Sequence, residues 1–132
     1  MNWMVWSALP LTALVAACVA EAMPEPTEGE VLFRENCTSC HGNDARGGIL
    51  VGRKKAPDLT SITARYDGVF PRAHVMSQID GYGRGKLPAE LMPEFGALLS
   101  GEQVPVEVDG VMTPTPRSLA ALLFYLESIQ GS

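Results

Sequence analysis

The spacing of apolar residues changes several times along the chain, and each spacing predicts a different element. Residues 3–20, WMVWSALPLTALVAACVA, form an 18-residue run with no charged side chain, interrupted by Pro10. The stretch EAMPEPTE, residues 21–28, is acidic and carries two prolines. It reads as the larger part of a tether over 18–27. Gly29 to Asn36 can start a helix, with Thr27 as its cap and Glu28 and Glu30 in the first turn. Its apolar face is brief. Four glycines from Gly42 to Gly52 mark a long loop that runs to Pro57. Pro71 opens a helix over Arg72 to Asp80, with Val75, Met76 and Ile79 on one side and Gly81, Gly83 and Gly85 behind it. Leu87 to Gly96 read as a second loop. Valines then alternate about Asp109-Gly110 in VPVEVDGVMTPT, residues 104–115, the signal of a hairpin. Thr115 is placed to cap, Pro116 to take the first helical position, and SLAALLFYLESI to follow as a helix. Leu119, Leu122, Leu123 and Leu126 share one stripe of it. The sum is a mainly α domain whose helices enclose little core by themselves, so something else fills the middle.

Composition narrows the picture. A chain of 132 residues makes one small domain. Hydrophobic residues are 46% and mean hydropathy is +0.09, both inflated by the apolar N-terminus. A domain this small buries a limited share of its surface, and a bound cofactor or metal would help it fold. The net charge of −5 is unevenly spread: residues 21–42 carry −4, 43–86 carry +4 and 87–132 carry −5. Overall acidity argues against a nucleic-acid partner. The central basic stretch, with Arg53, Lys54 and Lys55, reads either as a solvated loop surface or as a docking face.

The N-terminal run is borderline for a membrane span and fits a secretory signal better, because it ends in small residues. Val15-Ala16-Ala17-Cys18 resembles a bacterial lipobox. On that reading residues 1–17 are removed and Cys18 becomes a lipidated N-terminus that anchors the protein to a membrane. Ordinary cleavage after Ala20 and an uncleaved anchor are the alternatives. All three put the domain outside the cytoplasm, in the bacterial periplasm, where a free pair of cysteines tends to oxidise.

The remaining two cysteines stand together in ENCTSCHGND, residues 35–44. Cys-x-x-Cys-His is the attachment signature of a c-type haem. Two thiols three residues apart lie on one helical turn, where they can add to the two vinyl groups, and the next histidine faces the iron. A zinc site would want a fourth ligand, and a dithiol oxidoreductase would want a βαβ setting. A simple disulfide leaves His41 unexplained. Haem leaves a sixth iron position, for which the candidates are Met76, Met92, Met112 and His74. Met92 stands in LPAELMPEFG, on a loop that can wrap over the far face, stiffened by Pro93.

These residues resemble the class I cytochromes c, small monohaem electron carriers. Gly29-x-x-x-Phe33-x-x-x-Cys37-x-x-Cys40-His41-Gly42 is similar to the family's first helix and haem motif. Ala56-Pro57-Asp58-Leu59 resembles its proximal loop, Met92-Pro93-Glu94-Phe95-Gly96 its methionine loop, and Leu119 to Leu126 with Tyr125 its last helix. The resemblance covers residues 28–132. It implies a small, mainly α cytochrome c-like fold around one covalent haem c. By it, Cys37 and Cys40 hold the haem, and His41 and Met92 are the axial iron ligands. The Pro57 carbonyl accepts a hydrogen bond from the His41 ring. It further implies that Gly29, Phe33 and Tyr125 meet where the first and last helices cross, and that Arg65 and Tyr66 lie near the haem propionates. One departure stands out: residues 104–115 intervene as a hairpin insertion before the last helix, and place Met112 as a competitor to Met92. The implied activity is one-electron transport between redox partner proteins in a periplasmic respiratory chain, with no bond chemistry of its own. A fixed subunit of a membrane-associated dehydrogenase or oxidase, and a ligand-binding or peroxidatic haem protein, are the alternatives.

Overall fold

The computed structural model describes residues 22–81 and 92–131. The predicted signal, Cys18, Gly83 and Gly85 fall outside the described residues. Among those described there are five α-helices and two small antiparallel ladders.

Helix α1 spans Pro26–Asn36. It starts three residues before the expected Gly29, with Glu25 as its cap instead of Thr27. Glu25 and Glu28 form a reciprocal capping box: the Glu25 side chain takes a first-turn amide, and the Glu25 amide donates to Glu28 Oε1 at 3.3 Å. Pro26 sits at the first helical position, where a missing N–H costs nothing. After the cap at Cys37 the chain makes one further turn, α2, Thr38–His41.

The loop expected from Gly42 to Pro57 contains a tiny ladder, β1 Leu50–Val51 against β2 Lys54–Lys55. Gly52, at φ 62, supplies the positive angle that a two-residue turn needs at its first position. Asp58 caps a 3₁₀ turn over Leu59–Ser61, accepting from the Thr60 amide at 2.8 Å and its hydroxyl at 2.6 Å. Helix α3, Ile62–Arg65, follows. Helix α4 covers Arg72–Asp80 and ends at Gly81, whose φ of 85 is the left-handed cap.

After a 3₁₀ turn at Gly96–Leu99 comes the hairpin, β3 Gln103–Val108 and β4 Val111–Pro116. Asp109 and Gly110, at φ 50 and 82, make the predicted turn. The register pairs Val108 with Val111, Val106 with Thr113, Val104 with Thr115, and Pro105 with Pro114. The two-residue turn makes Val108–Val111 a hydrogen-bonded pair, so alternate pairs going back are not. Pro105, Pro114 and Pro116 fall at those other pairs, where an N–H would point outward. The free edge of β4 thus keeps few donors for another strand. Val104, Val106 and Thr115 face inward and are buried, and the hairpin packs on the last helix.

That helix, α5, is Arg117–Ser128, capped at Pro116 and not Thr115. Thr115 stays in β4, where its buried hydroxyl donates to the Thr113 carbonyl at 3.0 Å. Leu119, Leu122, Leu123 and Leu126 are buried along the expected stripe. Helices α1 and α5 cross at Gly29: a methyl there would overlap the Ala121 carbonyl and the Tyr125 Cβ. One turn on, the rings of Phe33 and Tyr125 stand 5.3 Å apart. Arg72 ties α4 to both neighbours, pairing with Glu127 at 2.8 Å, donating to the Glu107 carbonyl at 2.9 Å and lying over Phe124. No helix among the described residues is long and apolar enough to cross a membrane.

Candidate functional site

Away from the α1–α5 crossing the helices do not close on one another. Between them is a cavity of about 530 Å³, within the roughly 300–1,000 Å³ usual for cofactor sites. Its apolar wall comes from Phe33, Ile62, Val75, Ile79, Leu122 and Leu126, one or two residues from each of four helices. The polar groups that reach it are chemically distinctive: the thiols of Cys37 and Cys40, the imidazole of His41 and the thioether of Met92. Lys54, Lys55 and Arg65 line it too, and no Asp or Glu does among the described residues.

Local structure explains the first three. Cys37 caps α1 and Cys40 and His41 lie in the turn that follows, so the two thiols, three residues apart, share a face. The thiols are not joined to each other. Burial, helped by the neighbouring Cys40, pushes the Cys37 thiol up to about 11. Among the described residues no group of three His, Cys, Asp or Glu side chains is placed to hold a bare metal ion.

His41 is 8% exposed. Burial lowers its pKa, with the Pro57 carbonyl working in the opposite direction, so the ring is held toward the neutral, ligating form. Pro57 does not complete a hydrogen bond, however: Nδ1 is buried without a partner. The bond expected between His41 and Pro57 is approached and not closed. The proximal loop is fixed by its backbone. Gly47 N–H donates to the His41 carbonyl at 2.8 Å, Gly48 N–H to Ala56 at 2.9 Å, and Leu59 N–H to Ala45 at 2.8 Å. Gly47 is the position that sequence reasoning missed. Its φ is +67, and a methyl there would overlap the carbonyls of Ala56 and Pro57. The only local sign was a glycine pair, Gly47-Gly48, inside an already glycine-rich loop.

Of the other candidates, Met76 packs against the core and does not line the cavity, while His74 does line it, its ring 5.4 Å from that of Tyr66. Met112 is 60% exposed on β4 and is absent from the lining, so it does not compete with Met92. The reason is register: Met112 pairs with Glu107 on the outward face of the hairpin. Arg65 and Tyr66 both reach the cavity. Cys18 lies outside the described residues.

Two thiols on one turn, a buried imidazole with an orphaned nitrogen, a thioether, apolar walls and a cationic rim fit a planar apolar macrocycle with acidic substituents. They define a protein that carries a covalently attached haem.

Comparison with known proteins agrees. Residues 24–105 match the family described as cytochrome c oxidase, cbb3-type, subunit III. The chain is 46% identical over 59 residues to "Cbb3-type cytochrome c oxidase subunit CcoP" of Rhodobacter capsulatus, covering 45% of this chain and 18% of that one. It is 30% identical over 96 residues to "Cytochrome c-551" of Bacillus subtilis (strain 168), covering 64% of this chain and 76% of that one. It therefore spans less than a fifth of the oxidase subunit and about three quarters of the cytochrome. No solved structure matches it significantly. The chain belongs to the class I monohaem cytochrome c family, binds one covalent haem c, and serves electron transfer.

Proposed function

We propose that the protein is a periplasmic one-electron carrier with His41 and Met92 as axial ligands, anchored to the membrane by a lipid on Cys18. The observation that carries the reading is that Cys37, Cys40, His41 and Met92, though 55 residues separate the first from the last, line one cavity with no acid among its described walls. Bound there, haem supplies an Fe(III)/Fe(II) couple whose potential is raised by methionine ligation. Cys37 and Cys40 hold the macrocycle by thioether bonds. His41 binds through Nε2, and Nδ1–H is then free to donate to the Pro57 carbonyl, which fixes the ring. The aliphatic side chains of α3, α4 and α5 exclude water. Arg65 and Tyr66, which line the cavity, would meet the propionates, and Lys54 and Lys55 form the rim at which an acidic partner docks briefly. The hairpin, 104–115 in the sequence, is read as an insertion that covers one flank of this domain.

The test is a spectrum of Met92→Ala beside wild type. Wild type shows the near-infrared sulfur-to-iron band, and the variant loses it together with part of its potential. Persistence of the band in the variant removes Met92 from the iron.

A second reading is favoured by the similarity to CcoP: a permanent subunit of a membrane-bound oxidase. Size exclusion of detergent-solubilised membranes separates the two, because a free carrier elutes as a small particle and a subunit with its complex.

A further inference from the structure

The electron-transfer reading leaves the segment ahead of α1 without a role. Composition makes residues 18–27 a tether, yet the described part of it is fixed. Ala22 is held by its carbonyl, to which Arg117 donates at 2.8 Å. The same guanidinium grips Glu28 through bonds of 2.8 and 3.2 Å, so one side chain at the start of α5 secures both α1 and the chain that leads into it. Pro24, between them, is buried.

The consequence is one of length. Cys18 precedes Ala22 by four residues, which reach at most about 14 Å. A compact domain of about 110 residues has a radius of gyration near 13 Å, hence a diameter of roughly 34 Å and a half-circumference of roughly 53 Å. A chain of 14 Å cannot pass round such a body. Were the tether free as far as Thr27, its nine residues would reach about 30 Å, enough for the domain to lie on its side. The cavity sits at the other end of α1. The 11 residues of that helix carry the chain about 16 Å from the exit point to Cys37.

We propose that the starts of α1 and α5 form a membrane-facing pole. A chain clamped by Arg117 at Ala22 holds this pole against the lipid surface and keeps the cavity rim turned toward soluble partners. The proposal rests on the reading of Cys18 as lipidated. Met23 and Val31, 37% and 55% exposed, are apolar side chains at this pole. Glu25, Glu28 and Glu30 are there as well, so the pole is not drawn down by an anionic surface. Its orientation comes from chain length and is insensitive to salt, unlike electrostatic adsorption.

The test uses mature holoprotein in phosphatidylcholine vesicles. Its native cysteines are occupied by lipid and haem, so one introduced thiol is uniquely reactive. Thr27→Cys marks the near pole and Arg53→Cys, in the turn between β1 and β2, marks the cavity rim; both sites are exposed. Each is treated with a bulky polymer-maleimide, beside a soluble form secreted without Cys18. Thr27→Cys is expected to react severalfold more slowly on vesicles than in solution, and Arg53→Cys at the same rate in both. A spacer of about 12 Gly/Ser residues before Glu21, with ends roughly 20 Å apart, restores the near-pole rate. Equal slowing at both poles, or no recovery with the spacer, in protein whose mass shows the acyl chains, overturns the orientation alone. A mature chain without acyl groups overturns the anchor and the orientation together.

Discussion

Gly29→Ala tests the crossing on which the fold turns. Two effects of opposite sign meet at this residue. Inside a helix, alanine is favoured over glycine by about 0.5–1 kcal/mol. The new methyl, however, would overlap the Ala121 carbonyl and the Tyr125 Cβ. The first belongs to the backbone of α5 and cannot swing aside as a side chain can. Relief requires the helices to move apart, which loosens the Phe33–Tyr125 contact at 5.3 Å. Over-packing of this kind costs about 1–3 kcal/mol. The difference is a net loss of about 0–2.5 kcal/mol, whose midpoint is a little under a tenfold fall in the folding equilibrium constant. Guanidinium unfolding of the holoprotein, followed by far-ultraviolet circular dichroism, measures it, and the covalent cofactor keeps the reaction reversible. The double variant with Ala121→Gly shows no rescue, because the obstruction is a carbonyl and not the Ala121 methyl. If Gly29→Ala gains stability, or if Ala121→Gly restores it, the crossing is not held by backbone contact and the reasoning fails.

Other perturbations probe separate links. Gln130 accepts from the Thr63 amide at 2.9 Å and donates to the Leu59 carbonyl at 2.8 Å, so Gln130→Ala strands both and costs about 1–3 kcal/mol; the Thr63 amide then exchanges faster with deuterium, and unchanged exchange refutes the assignment. Arg117, mainly by its hydrogen bonds, holds the Glu28 carboxyl below its ordinary pKa. Because the folded value is the lower one, the stabilisation is complete above the unfolded pKa and is lost as pH falls through the folded pKa. At 42% side-chain exposure it amounts to about 0.2–1 kcal/mol, so the stability gap between wild type and Glu28→Gln closes below about pH 4; a constant gap from neutral to acid pH counts against it. Reversing Arg53, Lys54 and Lys55 to glutamates slows electron exchange with an acidic partner at low salt, and the difference fades above about 0.15 M salt as screening shortens to roughly 8 Å; equal rates at low salt take these residues off the docking face.

What the sequence disclosed follows physical range. The hairpin turn, the stripe of α5 and the limits of α4 rest on local chemistry: Asp109-Gly110, a leucine every third or fourth place, and Gly81 behind Asp80. They were legible. The start of α1 was obscured because Pro24 and Pro26 look like linker residues, whereas Pro26 begins the helix and Pro24 is buried. The β1–β2 ladder is two residues long, too short for any period to show. The Cys-x-x-Cys-His signature was plain because Cys37, Cys40 and His41 fall within five consecutive residues. Gly47 was not, since its constraint comes from Ala56 and Pro57 across the loop. Met112 stood as a competitor to Met92 until strand register turned it outward.

The cavity also explains why so little secondary structure makes a domain. Phe33, Ile62, Val75, Ile79, Leu122 and Leu126 are drawn from α1, α3, α4 and α5, and each touches the core on one side and the cavity on the other. Such residues gain only part of the burial that fixes their helices, about 25 cal/mol per Å² removed from water, unless an apolar group occupies the space between them. The family's haem is therefore a member of the core as much as a redox centre. Held by Cys37 and Cys40, as proposed, it would stand at the junction of α1 and α2, next to the α1–α5 crossing that the chain closes without it. From there the remaining pieces, α3, α4 and the Met92 segment, have a surface to pack against. A ligand that binds the folded chain and not the unfolded one raises stability with its own binding energy; here covalent attachment removes the concentration dependence, and short helices with long connections suffice.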